Sequence, residues 1–238
     1  TQDGETKVVR SGDVMDPTGR CRLTAWCEFD PSPGDAVRID GGRIQFWQGS
    51  PDLVVDNIDQ VSTLSDPPWK KIDPENHWVD VDLTSVTKGG SRRGISTSGT
   101  IVAINSGSGI IERCPECRRM LRDGVCSEHG PQRGEEDLRL RFVLDNGVSN
   151  ANLFLGKEAA EKFLGMSMEE VKGEISSMGS DVFVSNLRSR VLSRKMLVYG
   201  RSAIDDQGAM LFADTVDLLV LDPAEEAKEV MERWGVAL

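Results

Sequence analysis

Hydrophobic and polar positions alternate along short segments of this chain, and glycine, proline and aspartate separate those segments. Over residues 1–66 the alternating pieces are KVVRSGDVMD, RCRLTAWCEF, AVRIDGGRIQFW and DLVVDN. Alternation between the two faces of a strand predicts half-buried β-strands, and their short, even spacing is typical of a small barrel or sandwich. Residues 1–66 are therefore predicted to form one β-domain.

A second set of strands follows a stretch that begins rich in proline, lysine and aspartate, and over it we predict a linker at 67–93. The strands are ISTSGTIVAI, DLRLRFVLD, VSNANLFL, SRKMLVYGRSAID and AMLFADTVDLLVL, and a helical stretch, KEAAEKFLGMSMEEVKGEI, precedes the fourth. Residues 94–222 are predicted to form a second β-domain of similar layout. The closing PAEEAKEVMERWG predicts an amphipathic helix over 223–238, because Pro223 suits a helix N-terminus and Val230 and Trp234 share one face.

Aromatic and cationic side chains share the polar face of several predicted strands. In RCRLTAWC the apolar face contains Leu23 and Ala25, and in GGRIQFW it contains Ile44 and Phe46. The opposite faces combine rings with basic or amide side chains, which suits a single nucleic-acid strand because bases stack on rings while cations hold phosphates. The candidate binding residues on these faces are Trp26, Trp47, Phe154, Tyr199, Arg20, Arg22, Arg43, Arg139, Arg141, Asn152, Lys195 and Arg201. The alternative is that each ring packs under a loop or against the neighbouring domain.

The formal net charge of −11 argues against a polyanionic partner, because phosphate binding needs lysine and arginine. The charge is unevenly placed, however. The stretch from Asn186 to Arg201 holds five basic residues and no acidic one. Arg188 and Arg190 from this stretch join the candidate phosphate-binding residues, since a basic groove on an acidic body can still bind a polyanion.

The sequence CPECRRMLRDGVCSEHG places Cys114, Cys117, Cys126 and His129 in C-x2-C and C-x2-H pairs. Two such pairs supply four sulfur and nitrogen ligands, which predicts a closed tetrahedral zinc site. The alternative is a redox-active CxxC pair beside an incidental cysteine and histidine. Because a closed site has no open position for water, we expect the cluster to be structural rather than catalytic.

Other reactive chemistry is sparse in the sequence. No nucleophile-elbow, phosphate-loop or HExxH motif is present, which disfavours an enzyme. No apolar run is long enough to span a bilayer, and no signal peptide opens the chain. The five cysteines, with their metal-like spacing, predict an intracellular protein, in the cytoplasm or nucleoid of an archaeon or in the nucleus of a eukaryote. The first residue is Thr1 rather than methionine, so we expect a fragment of a longer chain.

The order of these motifs resembles a known family. The second half of the chain resembles the C-terminal DNA-binding domain of the large subunit of replication protein A. The shared order is a strand, the CPEC…CSEH cluster, the strands RLRFVLD and ANLF, the helix KEAAEKFLG, two strands and a terminal helix. MDPTGRCRLTAWCE and GDAVRIDGGRIQFWQG resemble the domain before it. The resemblance implies an all-β fold with minor α content, made of two tandem OB-fold barrels, a zinc ribbon inserted in the second at 112–131, and a C-terminal helix. It also implies that Trp26 and Phe154 stack on bases, with Trp47 near the region of a further ring.

The chain departs from the family pattern in two places. Human-like members use four cysteines, whereas His129 stands at the fourth position here, which zinc tolerates. The first barrel also lacks its opening strand, which would leave an open edge. The resemblance implies binding of single-stranded DNA in replication, recombination and repair, with the terminal helix joining partner subunits. Two alternatives stay open: an assembly module that mainly binds protein partners, and an RNA-binding OB protein.

Overall fold

The structure, a computed structural model, describes residues 8–47, 50–206 and 208–236, with the side chains of Trp47 and Arg233 outside the description. The strands of the first unit are β1 (Arg10–Asp16), β2 (Gly19–Ala25), β3 (Val37–Ile39), β4 (Arg43–Trp47), β5 (Ser50–Val55) and β6 (Val61–Thr63), with a 3-10 turn at Ile58–Gln60. A connecting segment contains β7 (Val79–Asp80) and the helix α1 (Leu83–Lys88). The strands of the second unit are β8 (Arg92–Ile104), β9 (Gly109–Arg113), β10 (Val125–Cys126), β11 (Gly130–Pro131), β12 (Glu135–Asp145), β13 (Asn150–Leu155), β14 (Lys195–Asp205) and β15 (Gly208–Leu218). Its helices are α2 (Lys157–Leu164), α3 (Met168–Met178) and α4 (Ser180–Val191), and α5 (Pro223–Arg233) follows it.

Five long strands of the second unit close into a barrel. Antiparallel pairs join β8 to β12, β12 to β13, β15 to β14 and β14 to β8, and a parallel pair joins β13 to β15. Counted along the chain, the closed order is first, second, third, fifth, fourth and first again, which is the Greek-key topology of the OB barrel. The predicted fold class is confirmed: the chain is mostly β with OB-type topology and a short C-terminal helix.

Strict alternation in β12 builds the core of this barrel. Leu138, Leu140, Phe142 and Leu144 are all fully buried, and the residues between them are partly exposed. Three helices cover the barrel between β13 and β14. The helix α2 and most of α3 fall within the predicted helical stretch at 157–175, and α3 continues to Met178. The helix α4 was not predicted, although its buried side chains at Phe183, Leu187 and Val191 have the four-residue spacing of an amphipathic helix.

The first unit repeats the same order without closing it. Its strands pair β1 with β2, β2 with β5 in parallel, and β5 with β4, which matches β12, β13, β15 and β14 of the second unit. In the described part of the first unit no strand stands in the place that β8 fills in the second. The prediction that Ile44 and Phe46 face a core is wrong, because they are 55% and 69% exposed on the open strand β4.

The two units share one continuous sheet, since β2 pairs with β8 where Arg20 lies opposite Arg93. The segment predicted as a linker packs against both units. Leu83 and Val86 of α1 are buried in the core of the second unit. On the other side, Nε2 of His77 lies 2.8 Å from the carbonyl oxygen of the Asp16 turn.

The C-terminal helix α5 begins at an N-cap, where the carboxylate of Asp222 accepts a hydrogen bond from the Ala224 N–H. It is held to the barrel by an ion pair of 2.8 Å between Lys195 Nζ and Glu226 Oε1. Trp234, just past its end, is 78% exposed. Among the helices of the described chain, none has the length and apolar character needed to cross a membrane.

Candidate nucleic-acid interface and metal centre

A row of six side chains crosses the shared sheet, each the direct cross-strand partner of the next. Direct cross-strand partners have their Cβ atoms about 4.5–5.5 Å apart, so the row is continuous. We call it the arginine–phenylalanine row. From β12 to β2 it consists of Arg141, Phe154, Phe212, Arg201, Arg93 and Arg20.

At the centre of the row, two phenylalanine rings stack between two guanidinium groups. The ring centroids of Phe154 and Phe212 are 5.3 Å apart, with an interplanar angle of 17°. The Cζ atom of Arg141 lies 5.1 Å from the Phe154 centroid, and that of Arg201 lies 4.1 Å from the Phe212 centroid. Each ring therefore has the other ring on one side and a cation on the other, an arrangement that the negative face of an aromatic ring favours.

A β-bulge at Gly94 determines which residues stand opposite each other at the arginine-rich end of the row. The β8–β14 register shifts there, so that Gly94 faces no residue of β14 and Arg93 comes opposite Arg201. Gly94 has φ of +64°, and a Cβ atom on it would lie 3.0 Å from the Cβ of Arg20. Glycine is thus required both for the left-handed backbone and for the close approach of β2.

A second bulge lies beside the first, between β14 and β15. Here Asp214 is the extra residue, because the register passes from Tyr199–Thr215 to Gly200–Ala213. A side chain at Gly200 would overlap the Phe212 carbonyl oxygen, so glycine is needed at this position too. The bulge places the Asp214 carboxylate next to the arginines of the row.

At this end of the row three arginines, Arg20, Arg93 and Arg201, stand against one acidic residue, Asp214. Although part of Asp214 is open to solvent, desolvation raises the pKa of its carboxyl, and Arg201, Arg20 and Arg93 act in the opposite direction. Desolvation and, after it, the nearby Arg93 lower the pKa of Arg201. One carboxylate thus lies near three guanidinium groups, and Arg93 adds to the electrostatic cost of a charged Arg201.

Tyr199 lies on β14 two residues before Arg201 of the row, and its ring contacts Trp78 of the connecting segment. Its ring centroid is 5.5 Å from that of Trp78, with the planes tilted by 56°. Arg20 lies over the same tryptophan, with its Cζ atom 5.9 Å from the ring centroid, and it donates a hydrogen bond to the Pro74 carbonyl. Tyr199 as a base-stacking residue stays a prediction.

Two further predicted residues extend the face on the first unit. Arg22 follows Arg20 on the same face of β2 and lines a shallow cleft of about 240 Å³ together with Arg93 and Asp13. Trp26 stands beyond the end of β2, 44% exposed, and its backbone N–H donates to the Val55 carbonyl at 2.8 Å.

Arg139 and Asn152 lie near the other end of the row. Arg139 is half-buried and donates from Nη2 to the Gly107 carbonyl at 3.2 Å, and desolvation lowers its pKa. The side-chain oxygen of Asn152 accepts from Asn105 Nδ2 at 3.2 Å. Both side chains are thus held in place beside Arg141 and Phe154.

The remaining predicted contacts lie outside the row. Arg43 is engaged by Asp56, with Nε 2.9 Å from Oδ2, and that hydrogen bond raises the arginine pKa. Lys195 pairs with Glu226, as described above. Arg188 and Arg190 are exposed on α4, and the side chain of Trp47 lies outside the described residues.

Three residues of the site were missed by sequence reasoning: Phe212, Arg93 and Trp78. Phe212 could have been found from the sequence, because alternation in AMLFADTV places it on the face of the strand that Leu211, which is buried, does not share. Arg93 is the last residue of the predicted linker, whereas in the structure β8 begins at Arg92. Trp78 fell in the predicted linker, and nothing in its local pattern indicates its contact with Tyr199.

The four predicted metal ligands converge. The Sγ atoms of Cys117 and Cys126 are 3.6 Å apart, and Nδ1 of His129 lies 3.5 Å from Cys114 Sγ and 3.8 Å from Cys126 Sγ. All four ligand atoms lie within 4.8 Å of one another. Ligands at about 2.0–2.3 Å from a tetrahedral ion are separated by distances of this size, so the group fits a bound metal ion.

Local backbone geometry prepares this cluster. The Cys114 N–H donates to the Arg119 carbonyl at 2.8 Å, closing a tight knuckle in which Arg118 has φ of +61°. The backbone N–H groups of Glu128 and His129 lower the pKa of Cys126 to about 6, which favours the thiolate, the form that binds metals. The cluster has its own small core, formed with Leu121 and separate from that of the barrel.

The strand order and these two sites define an OB-type β-barrel protein with an arginine–aromatic sheet face and a Cys3His group that could hold a metal ion. No family model matches the chain. It is similar to a curated protein named replication factor A from Methanothermobacter thermautotrophicus, with 24% identity over 212 residues that cover 79% of this chain and 25% of that protein. The chain thus spans about a quarter of the length of that relative.

Two solved structures are also similar to the chain. A replication protein A heterotrimer bound to single-stranded DNA matches with a TM-score of 0.43 and 14% identity, over 100% of this chain and 65% of that one. Yeast replication protein A bound to single-stranded DNA matches with a TM-score of 0.35 and 16% identity, over 60% of this chain and 85% of that one. Because both TM-scores lie below 0.5, the barrel type is assigned on the strand order alone.

Proposed function

We propose that this chain binds single-stranded DNA without strong sequence preference. The observation that carries the proposal is the arginine–phenylalanine row, in which two stacked rings lie between guanidinium groups on one sheet face. The bases of a single strand stack on such rings with about 1–3 kcal/mol each, and basic side chains follow the phosphates. The row provides both rings for the bases and guanidinium groups for the phosphates, side by side on adjacent strands. It therefore forms a local basic surface on a chain whose net charge is −11.

Binding requires a rearrangement within the row, because each phenylalanine already has a guanidinium on its outer side. Under this proposal Arg141 and Arg201 move from the rings to phosphates, and bases take their places. The exchange is favourable, since an exposed cation–π contact is worth about 0.5–1 kcal/mol and a stacked base about 1–3. Arg141 Nε is buried without a hydrogen-bond partner in the described chain, which leaves a donor for such a phosphate.

We also propose that Cys114, Cys117, Cys126 and His129 hold a structural zinc ion. The ligand spacing described above and the three thiols of the donor set support zinc. The ion would close the knuckle around Leu121 and would supply no reactive position. Metal analysis of the purified protein should find about one zinc per chain, and Cys114→Ser should lower that content sharply while Cys21→Ser, outside the cluster, leaves it unchanged.

The cellular role proposed for the chain is that of a non-enzymatic binding protein in replication, recombination and repair, inside the cell. The similarity to replication factor A supports this role. It covers a quarter of that relative, so the activity of the whole protein belongs to the proposal.

A binding titration tests the proposed function. We expect a labelled oligo-dT strand to bind the wild-type chain, and the Phe154→Ala/Phe212→Ala double variant to bind about thirtyfold more weakly, because about 2 kcal/mol of stacking is lost. The matched control is Phe46→Ala, since Phe46 is 69% exposed and lies away from the row. Equal affinities of the double variant and the control would contradict the proposal. Because stacking does not depend on the sugar, the rings alone do not distinguish DNA from RNA, and tighter binding of a matched RNA strand would favour the RNA-binding alternative.

A second candidate function is assembly with partner subunits through α5. Val230 is 47% exposed on the helix, and Trp234 just past its end is 78% exposed, so an apolar stripe is open to a partner. Removing residues 223–238 and measuring both oligomeric state and DNA affinity separates the two functions. Lost association with unchanged DNA binding assigns α5 to assembly, whereas lost DNA binding assigns it to the interface.

A further inference from the structure

Three arginines meet where the sheet passes from the second unit to the first. Arg201 on β14 lies opposite Arg93 on β8, and Arg93 lies opposite Arg20 on β2. Like charges in direct cross-strand positions destabilise a sheet. The chain has 39 acidic residues and 28 basic ones, so this concentration of positive charge runs against its composition.

The fold is shaped locally to bring these charges together. The bulge at Gly94 turns Arg93 towards Arg201, and the bulge at Asp214 lies on the adjacent strand pair. Both depend on glycines that admit no side chain without displacement, Gly94 and Gly200. Bulges of this kind re-aim side chains and are over-represented beside functional sites.

The positive charge is incompletely balanced. Within the described residues, neither Asp214 nor any of the three arginines forms a salt bridge at 4.0 Å or less. Arg20 Nε is buried without a hydrogen-bond partner in the same part of the chain. Guanidinium donors in excess over acceptors are the arrangement that binds a phosphate strongly.

We infer that Arg20, Arg93 and Arg201 together bind one phosphate group of the DNA strand at the junction of the two units. The inference rests on the proposed function and adds to it a path across the junction. From this subsite the strand reaches Arg22, which lines the junction cleft with Arg93, and then the exposed ring of Trp26. The two units are thereby one binding surface, although among the described residues only the second unit closes into a barrel.

Arg93→Gln tests the subsite, with Arg92→Gln as its control. Arg92 is adjacent and exposed, carries the same charge and faces the opposite side of β8. We expect Arg93→Gln to weaken oligo-dT binding about tenfold and to reduce the slope of log K against log salt by at most about 0.7, the share of one phosphate on a single strand, because Arg20 and Arg201 still face that phosphate. Arg92→Gln should change affinity less than twofold.

The melting temperature distinguishes a binding role from a structural one. Because Arg93 repels its two neighbours, its replacement by glutamine should keep or raise the melting temperature of the free protein. Equal affinities of the two variants for oligo-dT would overturn the subsite while wild-type binding still supports the proposed function. No binding by the wild-type chain would overturn the proposed function itself.

Discussion

The two units of this chain share a strand order but differ in what their strands enclose. In the described chain, one cluster of 24 buried hydrophobic residues fills the closed barrel of the second unit and the space between that barrel and the helices α1 to α4. In the described first unit, the buried cluster contains three: Leu23, Ala25 and Val55. Alternation of residues along a strand thus specifies its two faces, whereas closure of the barrel decides whether the apolar face is buried.

The strand β8 explains much of the difference. It closes the second barrel by pairing with both β12 and β14, and its first residues also pair with β2. The first unit is therefore supported at its junction by contacts from β8, Trp78 and His77. We expect the backbone amides of β2 and β5 to exchange with solvent faster than those of β12 and β13, because local stability follows burial.

The largest effect should come from the core of the second unit. Phe142→Ala removes a fully buried ring and should lower the free energy of unfolding by about 3–5 kcal/mol. Leu23→Ala, in the small core of the first unit, should cost about 2 kcal/mol, at the lower end for such a substitution, because an open sheet collapses more easily around the cavity. Urea unfolding followed by circular dichroism measures both. Equal losses would remove the energetic distinction between the units.

An intermediate effect should come from the junction. Gly94→Ala forces alanine into φ of +64° and against Arg20, which should cost about 1–2 kcal/mol of stability and weaken DNA binding while every charge is retained. Gly147→Ala is the matched control, because Gly147 also has positive φ but a Cβ there meets no atom within 4 Å. If both variants bind DNA alike, the geometry of the junction has no part in binding.

The smallest effect should come from the carboxylate among the arginines. Asp214→Asn removes the negative charge beside the proposed phosphate subsite and should strengthen oligo-dT binding roughly two- to fourfold at about 0.1 M salt. A fall in affinity instead would show that Asp214 holds the arginines in position. Asp217→Asn, on the same strand and exposed, controls for the change in net charge.

Sequence reasoning succeeded where the information is local. A tight turn a few residues long brings Cys114 and Cys117 together, and the four ligands converge as predicted. The alternation in DLRLRFVLD, predicted as a strand, likewise matches the buried face of β12 at Leu140 and Phe142. These features depend on neighbours along the chain, which a single sequence displays.

Sequence reasoning failed where distant strands decide the outcome. Ile44 and Phe46 alternate correctly but face no covering strand in the described chain. The bulges at Gly94 and Asp214 change which residues stand opposite each other, so the partnership of Arg93 with Arg201 cannot be read from either strand alone.

Photocrosslinking tests most directly whether the arginine–phenylalanine row binds single-stranded DNA. The wild-type chain would be irradiated with bound oligo-dT, and the modified residues identified by mass spectrometry. Crosslinks at Phe154 and Phe212, lost at salt concentrations that dissociate the strand, are the predicted result. Crosslinks confined to α5 or to the knuckle between Cys114 and His129, with none on the row, would contradict the account.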